Sequence, residues 1–377
     1  MHTKLLGVID EDPFSPFTWS GSSTYLFNAL RQDGSLYRAI SAMPSPERVF
    51  LTKLLSFQFG LDKWRFKYHL NANYFRQMTN TAINQLEQTD DASYNTILQI
   101  GAWYDLTGYK DKISTSYHDG NLAMRLQSPY GYPRISASII ENALAYERNL
   151  YHRMDLIFPM SDWLATSFIK DFSVDPSKIH VVGAGINLPK LAMPSESRGD
   201  TKKILFVGKD FARKGGRLLV DAFMRVRKHI RNAELVLVGP SIKNLPDGIR
   251  CEGYVSKSDS AGIDRLLSLY SEANLFVLPS LYEPFGIALA EAMAHRLPCI
   301  GTRNCAIPEI IDHGITGLLA EVNDERSLAD AISTILEDEN LAIRMGDAGY
   351  KKYEENYRWE VVSRKIRDVI QSRLDGR

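Results

Sequence analysis

Two stretches of this chain of 377 residues gather charged side chains around glycines where a strand is expected to give way to a helix. The first runs Phe206-Val-Gly-Lys-Asp-Phe-Ala-Arg-Lys-Gly-Gly216. Residues 202–231 hold ten Lys and Arg against two acids, Asp210 and Asp221, in a chain whose 45 basic and 45 acidic side chains otherwise cancel. Cations at such a turn suit an anionic group of the diphosphate kind. A solvated basic helix face would account for the charge alone. Arg213 and Lys214 are the candidates because they precede two glycines at the turn, whereas Arg225, Arg227, Lys228 and Arg231 are expected to face water. The second stretch is Tyr282-Glu-Pro-Phe-Gly-Ile-Ala-Leu-Ala-Glu-Ala-Met-Ala294, with Glu283 in a loop and Glu291 on the helix after it. Gly286 lets the backbone approach a ligand closely. Amides at the helix start can receive phosphate while carboxylates accept hydroxyl protons. Two arbitrary glutamates would be a turn residue and a surface residue; the pattern around these two argues otherwise.

The elements that must position these groups follow from the hydrophobic pattern. Short leucine-rich or β-branched runs alternate with helix-period segments, the rhythm of parallel sheets flanked by helices. Strands are expected at 4–10, 96–100, 113–117, 156–160 and 179–182, with helices starting near Ser22, Arg134 and Ser161. Gly, Pro, Ser and charge concentrate at 183–185 and 189–200, so one domain is expected over 1–190 and a second over 191–357. The second repeats the rhythm at 203–207, 235–238, 275–278 and 298–301. An amphipathic helix closes the chain within 358–377, its Val361, Val362, Ile366, Val369 and Ile370 at helical spacing. Loops at the carboxyl ends of two such sheets are expected to face each other across a cleft.

Composition narrows the classes of function. The halves 1–190 and 191–377 are each neutral, 18 basic against 18 acidic and 27 against 27, which argues against a nucleic-acid partner. Cys251, Cys299 and Cys305 have no zinc-site spacing and no even count, so a reducing compartment is expected. The start of the chain meets Asp10, Glu11 and Asp12 before any apolar run, so no export signal is expected, and no apolar stretch approaches the ~20 residues of a membrane span.

The run Glu283-Pro-Phe-Gly-Ile-Ala-Leu-Ala-Glu291 resembles the signature of retaining family-4 glycosyltransferases of GT-B fold, two glutamates separated by seven residues around Pro-Phe-Gly. Residues 204–216 resemble that family's strand and Arg-Lys-Gly turn, 308–319 its later donor-domain loop, and 158–187 its interdomain passage. The resemblance implies an α/β GT-B chain of two Rossmann-like parallel-sheet domains, the second binding a nucleoside-diphosphate sugar. Arg213 and Lys214 would neutralise the diphosphate, Glu291 would hold the ribose, and Glu283 would contact the transferred sugar. Main-chain amides of Phe285, Gly286, Ile287 and Ala288 would meet sugar and phosphate, and the base would lie near Tyr254 and Val255. In the first domain, Gly21 would sit beneath the diphosphate and His118 would point at the donor sugar. The final helix would return to the first domain.

That resemblance sets the expected activity: retaining transfer of a hexose, glucose from a UDP-linked donor, to a glycan or lipid-linked glycan in bacterial surface polysaccharide synthesis. A same-face mechanism is preferred, because no matched carboxylate is placed as a covalent nucleophile. No metal and no cofactor are expected, with Arg213 and Lys214 in a metal's place; the Asp10–Asp12 triplet mimics an Asp-x-Asp metal motif but reads as a loop. Transfer to a small sugar or sugar phosphate, a non-catalytic nucleotide-sugar binder and a nucleotide-sugar epimerase are the alternatives. Residues 63–76 interleave cations with aromatics and would suit an acceptor site or peripheral contact with the inner face of the cytoplasmic membrane, although a helix packing its aromatics inward explains them more simply. The expected location is cytoplasmic.

Overall fold

Most strands that lead to a candidate residue are built from side chains that leave water on both faces. In the computed structural model, which describes residues 2–130, 135–192 and 200–376, these strands form two parallel sheets. The chain divides into one unit of Met1–Gly183 with Trp359–Arg377 and another of Ala184–Arg358. The division thus falls several residues before 190, and 193–199 of the expected connection lie outside the described residues.

The first unit runs β1 (Leu5–Ile9), α1 (Ser22–Gln32), β2 (Leu36–Ser41), α2 (Pro46–Leu55), α3 (Leu61–His69), α4 (Ala72–Glu87), β3 (Thr96–Ile100), β4 (Ile113–His118), α5 (Leu122–Gln127), α6 (Ala137–Arg153), β5 (Leu156–Pro159) and α7 (Asp162–Phe172). Its sheet order is β2-β1-β3-β4-β5. β1, β3, β4 and β5 are buried along their whole length, as strands covered by helices on both faces must be. Ser161 caps α7 by accepting from the Leu164 amide at 3.1 Å. The helix start expected at Arg134 lies outside the described residues. Residues 179–182 run beside β5, His180 N donating to Ile157 O and Val182 N to Pro159 O, but form a single bridge rather than the expected strand. The chain leaves the sheet at once, at Gly183 with φ 78°.

The second unit runs β6 (Lys202–Val207), α8 (Gly216–Val226), β7 (Ala233–Val238), β8 (Ile249–Gly253), α9 (Ser260–Glu272), β9 (Leu275–Leu278), α10 (Ile287–Ala294), β10 (Cys299–Thr302), α11 (Ile307–Ile310), β11 (Gly317–Ala320), α12 (Glu325–Glu337) and α13 (Glu339–Asn356). Its order, β11-β10-β9-β6-β7-β8, winds both ways from β6, so the strand order reverses between β6 and β9. Ligands of doubly wound sheets bind at such a reversal, beyond the carboxyl ends of the strands. The last helix, α14 (Trp359–Asp375), belongs to the first unit, where Val362, Ile366 and Ile370 are fully buried and Gln371 accepts from Thr3 N at 3.0 Å.

One expectation about surfaces is corrected. Arg227 is not a solvated cation: it is half-buried and paired with Asp247 at 3.0 Å, whereas Arg225 is exposed, as expected, and pairs with Glu325. Of the aromatics of 63–76, Tyr68, Tyr74 and Phe75 lie in the core around Met78, as the simpler reading of that stretch expects, while Trp64 and Phe66 are half-buried. Among the described residues no helix is long and apolar enough to cross a membrane.

Gly215 is the backbone position on which the reversal point depends. It has φ 72°, and a Cβ there would lie 2.0 Å from the Pro279 carbonyl oxygen. Gly215→Ala is therefore expected to lower unfolding stability by at least about 2 kcal/mol, read as a fall in denaturant midpoint. An unchanged midpoint would mean that the two loops do not need their close approach.

Candidate active site

The loops after β6 and β9 are tied together by backbone and side chain alike. Leu281 N donates to Arg213 O at 2.9 Å, and Arg213 Nη1 donates to Tyr282 O at 2.7 Å. Lys214 Nζ donates to Glu283 Oε2 at 2.8 Å, and Ser280 Oγ donates to the same oxygen at 3.0 Å. Arg213 Nη1 stands 3.8 Å from that oxygen, and Arg213 Nε reaches Asp210 at 3.2 Å. Arg213, Lys214 and Glu283, each a candidate on sequence, thus meet at one buried carboxylate. Burial works to raise the Glu283 carboxyl, but the charges of Lys214 and Arg213 and the bonds from Lys214 and Ser280 hold it below the ordinary glutamate value. It is ionised at neutral pH.

Gly286 begins α10 with φ 104°, a conformation that only glycine adopts without strain, and its carbonyl accepts from Leu289 N at 2.9 Å. The amides of Ile287 and Ala288 belong to the first turn, whose donors have no acceptor within a helix. Phe285 is buried, its ring edge-on to Tyr357.

Glu291 is not the surface residue its helix position would allow. It is 1 % exposed, with Oε2 accepting from Tyr270 OH at 3.1 Å and Oε1 paired with Lys257. Its carbonyl accepts from His295 Nδ1 at 2.7 Å, and the His295 ring stacks on Tyr270 with centroids 4.7 Å apart. Burial and the neighbouring carboxylate raise the Tyr270 hydroxyl far above its ordinary value, so it stays a donor. Lys257, Tyr270 and His295 are not legible from sequence as partners of Glu291. Lys257 follows the Gly253-Tyr-Val255 loop by two residues, which is the one available signal. Tyr254 is 64 % exposed beyond β8, with Lys209 Nζ 5.6 Å from its ring centroid.

Gly21 and His118 lie in the other unit. Gly21 precedes α1 with φ 86°, after Trp19 and Ser20, which also have positive φ. Trp19 Nε1 donates to Asp119 at 3.0 Å. His118 ends β4 but does not project into the open: it is 1 % exposed, enclosed edge-on by Tyr151 and Phe168, with no partner for Nε2 among the described residues. Burial alone lowers its pKa to about 3, so the ring is neutral. The Asp10–Asp12 triplet caps its own loop, Asp12 accepting from Phe14 N and Glu11 from Thr18 Oγ1. Burial, then Glu11, pushes Asp10 up to about 6.

With this geometry in place, the chain can be set beside known proteins. Residues 190–352 match the family model described as "Glycosyl transferases group 1". The second unit is thus similar to a glycosyltransferase domain, and the chain as a whole has the GT-B fold. It is similar to the MMP alpha-(1->4)-mannosyltransferase of Mycolicibacterium hassiacum, 28% identical over 224 residues that make up 58% of this chain and 54% of that one. The chain spans about half the length of the curated relatives it matches. Among solved structures, sucrose-phosphate synthase from Thermosynechococcus elongatus superposes with a TM-score of 0.73 at 17% identity, covering 99% of this chain and 100% of that one. Anabaena HepE, solved with UDP and glucose, superposes with a TM-score of 0.67 at 16% identity, covering 98% and 100%. These likenesses carry the fold of a GT-B chain over its whole length.

The Lys214–Glu283 pair makes a measurable statement about this glycosyltransferase domain. Lys214→Met strands a buried carboxylate and is expected to lose about 3 kcal/mol of unfolding stability, a loss that Glu283→Gln in the same chain partly restores. Because the Glu283 pKa is lowered by folding, its contribution is present above the ordinary glutamate value and disappears as pH falls below it. The gap between wild type and Glu283→Gln should therefore close on acidification. A gap that widens towards acid would contradict the ionised assignment.

Proposed function

We propose that this chain is a retaining, metal-independent hexosyltransferase that moves glucose from UDP-glucose to a hydroxyl of a glycan or lipid-linked glycan, in surface polysaccharide assembly on the cytoplasmic side of a membrane. The observation that carries the reading is the convergence of Arg213, Lys214 and Glu283 at the strand reversal, with a second buried carboxylate, Glu291, on the helix that follows. Breaking the anomeric C–O bond builds negative charge on the departing diphosphate and positive charge on the sugar. Fixed cations that meet the leaving group stabilise that state more than the ground state.

Each residue keeps capacity for this role. A guanidinium has five N–H donors and an ammonium three, and the bonds named for Arg213 and Lys214 use only part of them. Amides of Phe285, Gly286, Ile287 and Ala288 would meet sugar and phosphate oxygens. Glu283, held ionised, would accept from hydroxyls of the transferred sugar, and Glu291 from the ribose, with the base near Tyr254 and Val255. The diphosphate itself would take the acceptor's proton on the face it leaves. The presence of UDP and glucose in HepE, a protein of the same fold, supports this choice of donor.

Calorimetric titration with UDP, GDP and ADP, first without metal and then with magnesium, tests the reading. Metal-free binding of UDP is expected, weakened about tenfold or more in Glu291→Ala, where a charge-assisted contact worth roughly 1.5–3 kcal/mol is lost. Arg213→Ala with Lys214→Ala should lower turnover more than it lowers sugar-donor affinity. Binding that requires magnesium would overturn the role of the two cations, and product formed without an acceptor would replace transfer by epimerisation.

A further inference from the structure

Residues 202–231 are more basic than the donor site uses. Of their ten Lys and Arg, Arg213 and Lys214 lie beyond the carboxyl end of β6, at the strand reversal. Arg227 and Arg231 lie at the opposite end of the sheet, in the passage from α8 to β7. Strands of this length put about 17–20 Å between the two ends. At the far end Arg227, Arg231 and Arg250 line a cleft of about 400 Å³, together with Thr201, Asn232 and Gly248.

The cleft carries a surplus of positive charge. Among the described residues the one carboxylate in its lining is Glu234, which accepts from Arg250 Nε at 3.0 Å, while Arg250 Nη1 pairs with Glu252 outside it. Arg227 Nη2 meets Asp247 at 3.0 Å, but that carboxylate is 97 % exposed, so water screens the pair and it is worth little. Arg227 Nη1 is buried with no acceptor among the described residues, and Arg231 is exposed with no ion-pair partner among them.

Cations gather at helix C-termini because the last carbonyls attract them, and α8 ends at Val226. That accounts for Lys228. It does not account for Arg227, since a guanidinium recruited by carbonyls would donate to them through Nη1. The Arg227 head is held against backbone instead: Gly248 has φ 82°, and a Cβ on it would fall inside the guanidinium. Gly248 O accepts from Leu235 N at 2.9 Å, which fixes the turn against β7. The fold thus keeps a glycine where only a glycine leaves room for this cation.

We propose that this cleft is a second anion site, which takes the phosphate group of a soluble phosphate or phosphate monoester through the guanidinium groups of Arg227, Arg231 and Arg250. Planar guanidinium forks match phosphate oxygens in pairs, and a partly buried fork loses less of its attraction to screening than an exposed one. With no net charge the chain has no general attraction for a polyanion, so the local surplus suits a small dianion. The site stands apart from the donor reading, because none of its residues belongs to the loops after β6 and β9.

Backbone-amide NMR of the full chain tests it, with inorganic phosphate and, separately, glycerol 3-phosphate added at constant ionic strength, in the absence and presence of UDP. Saturable shifts at 231–235 and 247–250 are expected, unchanged by UDP. Tighter binding of inorganic phosphate would assign the site to the free ion, and tighter binding of glycerol 3-phosphate to an ester. Arg231→Glu should weaken this binding about tenfold or more while the unfolding midpoint stays the same. Arg227→Lys, which keeps the charge and loses the fork, should bind more weakly than wild type and more tightly than Arg227→Met. No response at 231–235 and 247–250, an equal response in Arg231→Glu, or the same shifts from sodium chloride alone would overturn the site. Shifts confined to 213–216 and 285–291 would also overturn it and leave the donor reading standing, whereas failure of UDP to bind would count against the donor reading alone.

Discussion

The second unit depends on one contact between two loops that the sheet topology brings side by side. Because the strand order reverses between β6 and β9, their carboxyl-terminal loops have no strand between them and must satisfy each other. They do so through the Lys214–Glu283 ion pair, closed over Gly215 where no Cβ fits against Pro279. A buried ion pair is a weak source of stability, since desolvation offsets most of the attraction. Its value here is positional. It fixes a cation pair and a carboxylate in one place while leaving donors on both cations for a ligand with more negative charge than Glu283 offers.

Glu291 shows a second way of keeping a carboxylate buried. Glu283 is balanced by charge at the loop, whereas Glu291 is balanced by one neutral hydroxyl, Tyr270, and one lysine, Lys257, that is only partly buried. Tyr270 is packed against His295, which is itself bonded to the Glu291 backbone, so that oxygen is held by rigid, buried groups. The other oxygen faces the ammonium of Lys257, which is about one third exposed.

What is legible in the sequence follows from where the information sits. Arg213, Lys214, Glu283, Gly286 and Glu291 lie within short windows in which glycine, proline and charge are read locally, and topology then needs only to place two windows together. β9 at Leu275–Leu278 and α10 behind it are equally plain, since an all-apolar strand and its following helix carry their own pattern. Tyr270 and Lys257 are not legible, because their meaning comes from a partner many residues away and a tyrosine on an amphipathic helix looks like any core residue. β8 and β11 escape for a different reason: β8 is half-buried throughout, and β11 is four residues beginning with a glycine. His118 is readable as a strand-end residue, yet its environment, an aromatic enclosure of Tyr151 and Phe168, is a property of α6 and α7 that no local window contains. Residues 63–76 read as one interleaved stretch of cations and aromatics, but a helix boundary at Leu70 divides them, and only the folded chain shows that Tyr68, Tyr74 and Phe75 share the inward side.

The two units break the same rule in opposite directions. In the second, charged groups are buried, which costs desolvation free energy unless every oxygen finds a donor. In the first, α2 leaves apolar side chains in water, which forfeits the burial that drives folding. Neither arrangement follows from the needs of the fold alone, since a threonine facing inward on α2 and a glutamate inside α10 could each be replaced by residues that bury more favourably. For Glu283 and Glu291 the desolvation cost is met within the chain, by Lys214 and Ser280 for the one and by Tyr270 and Lys257 for the other. For Phe50, Leu54, Leu55 and Phe59 it is not met among the described residues, so the two departures differ in kind: the first is compensated by the fold and the second is left open.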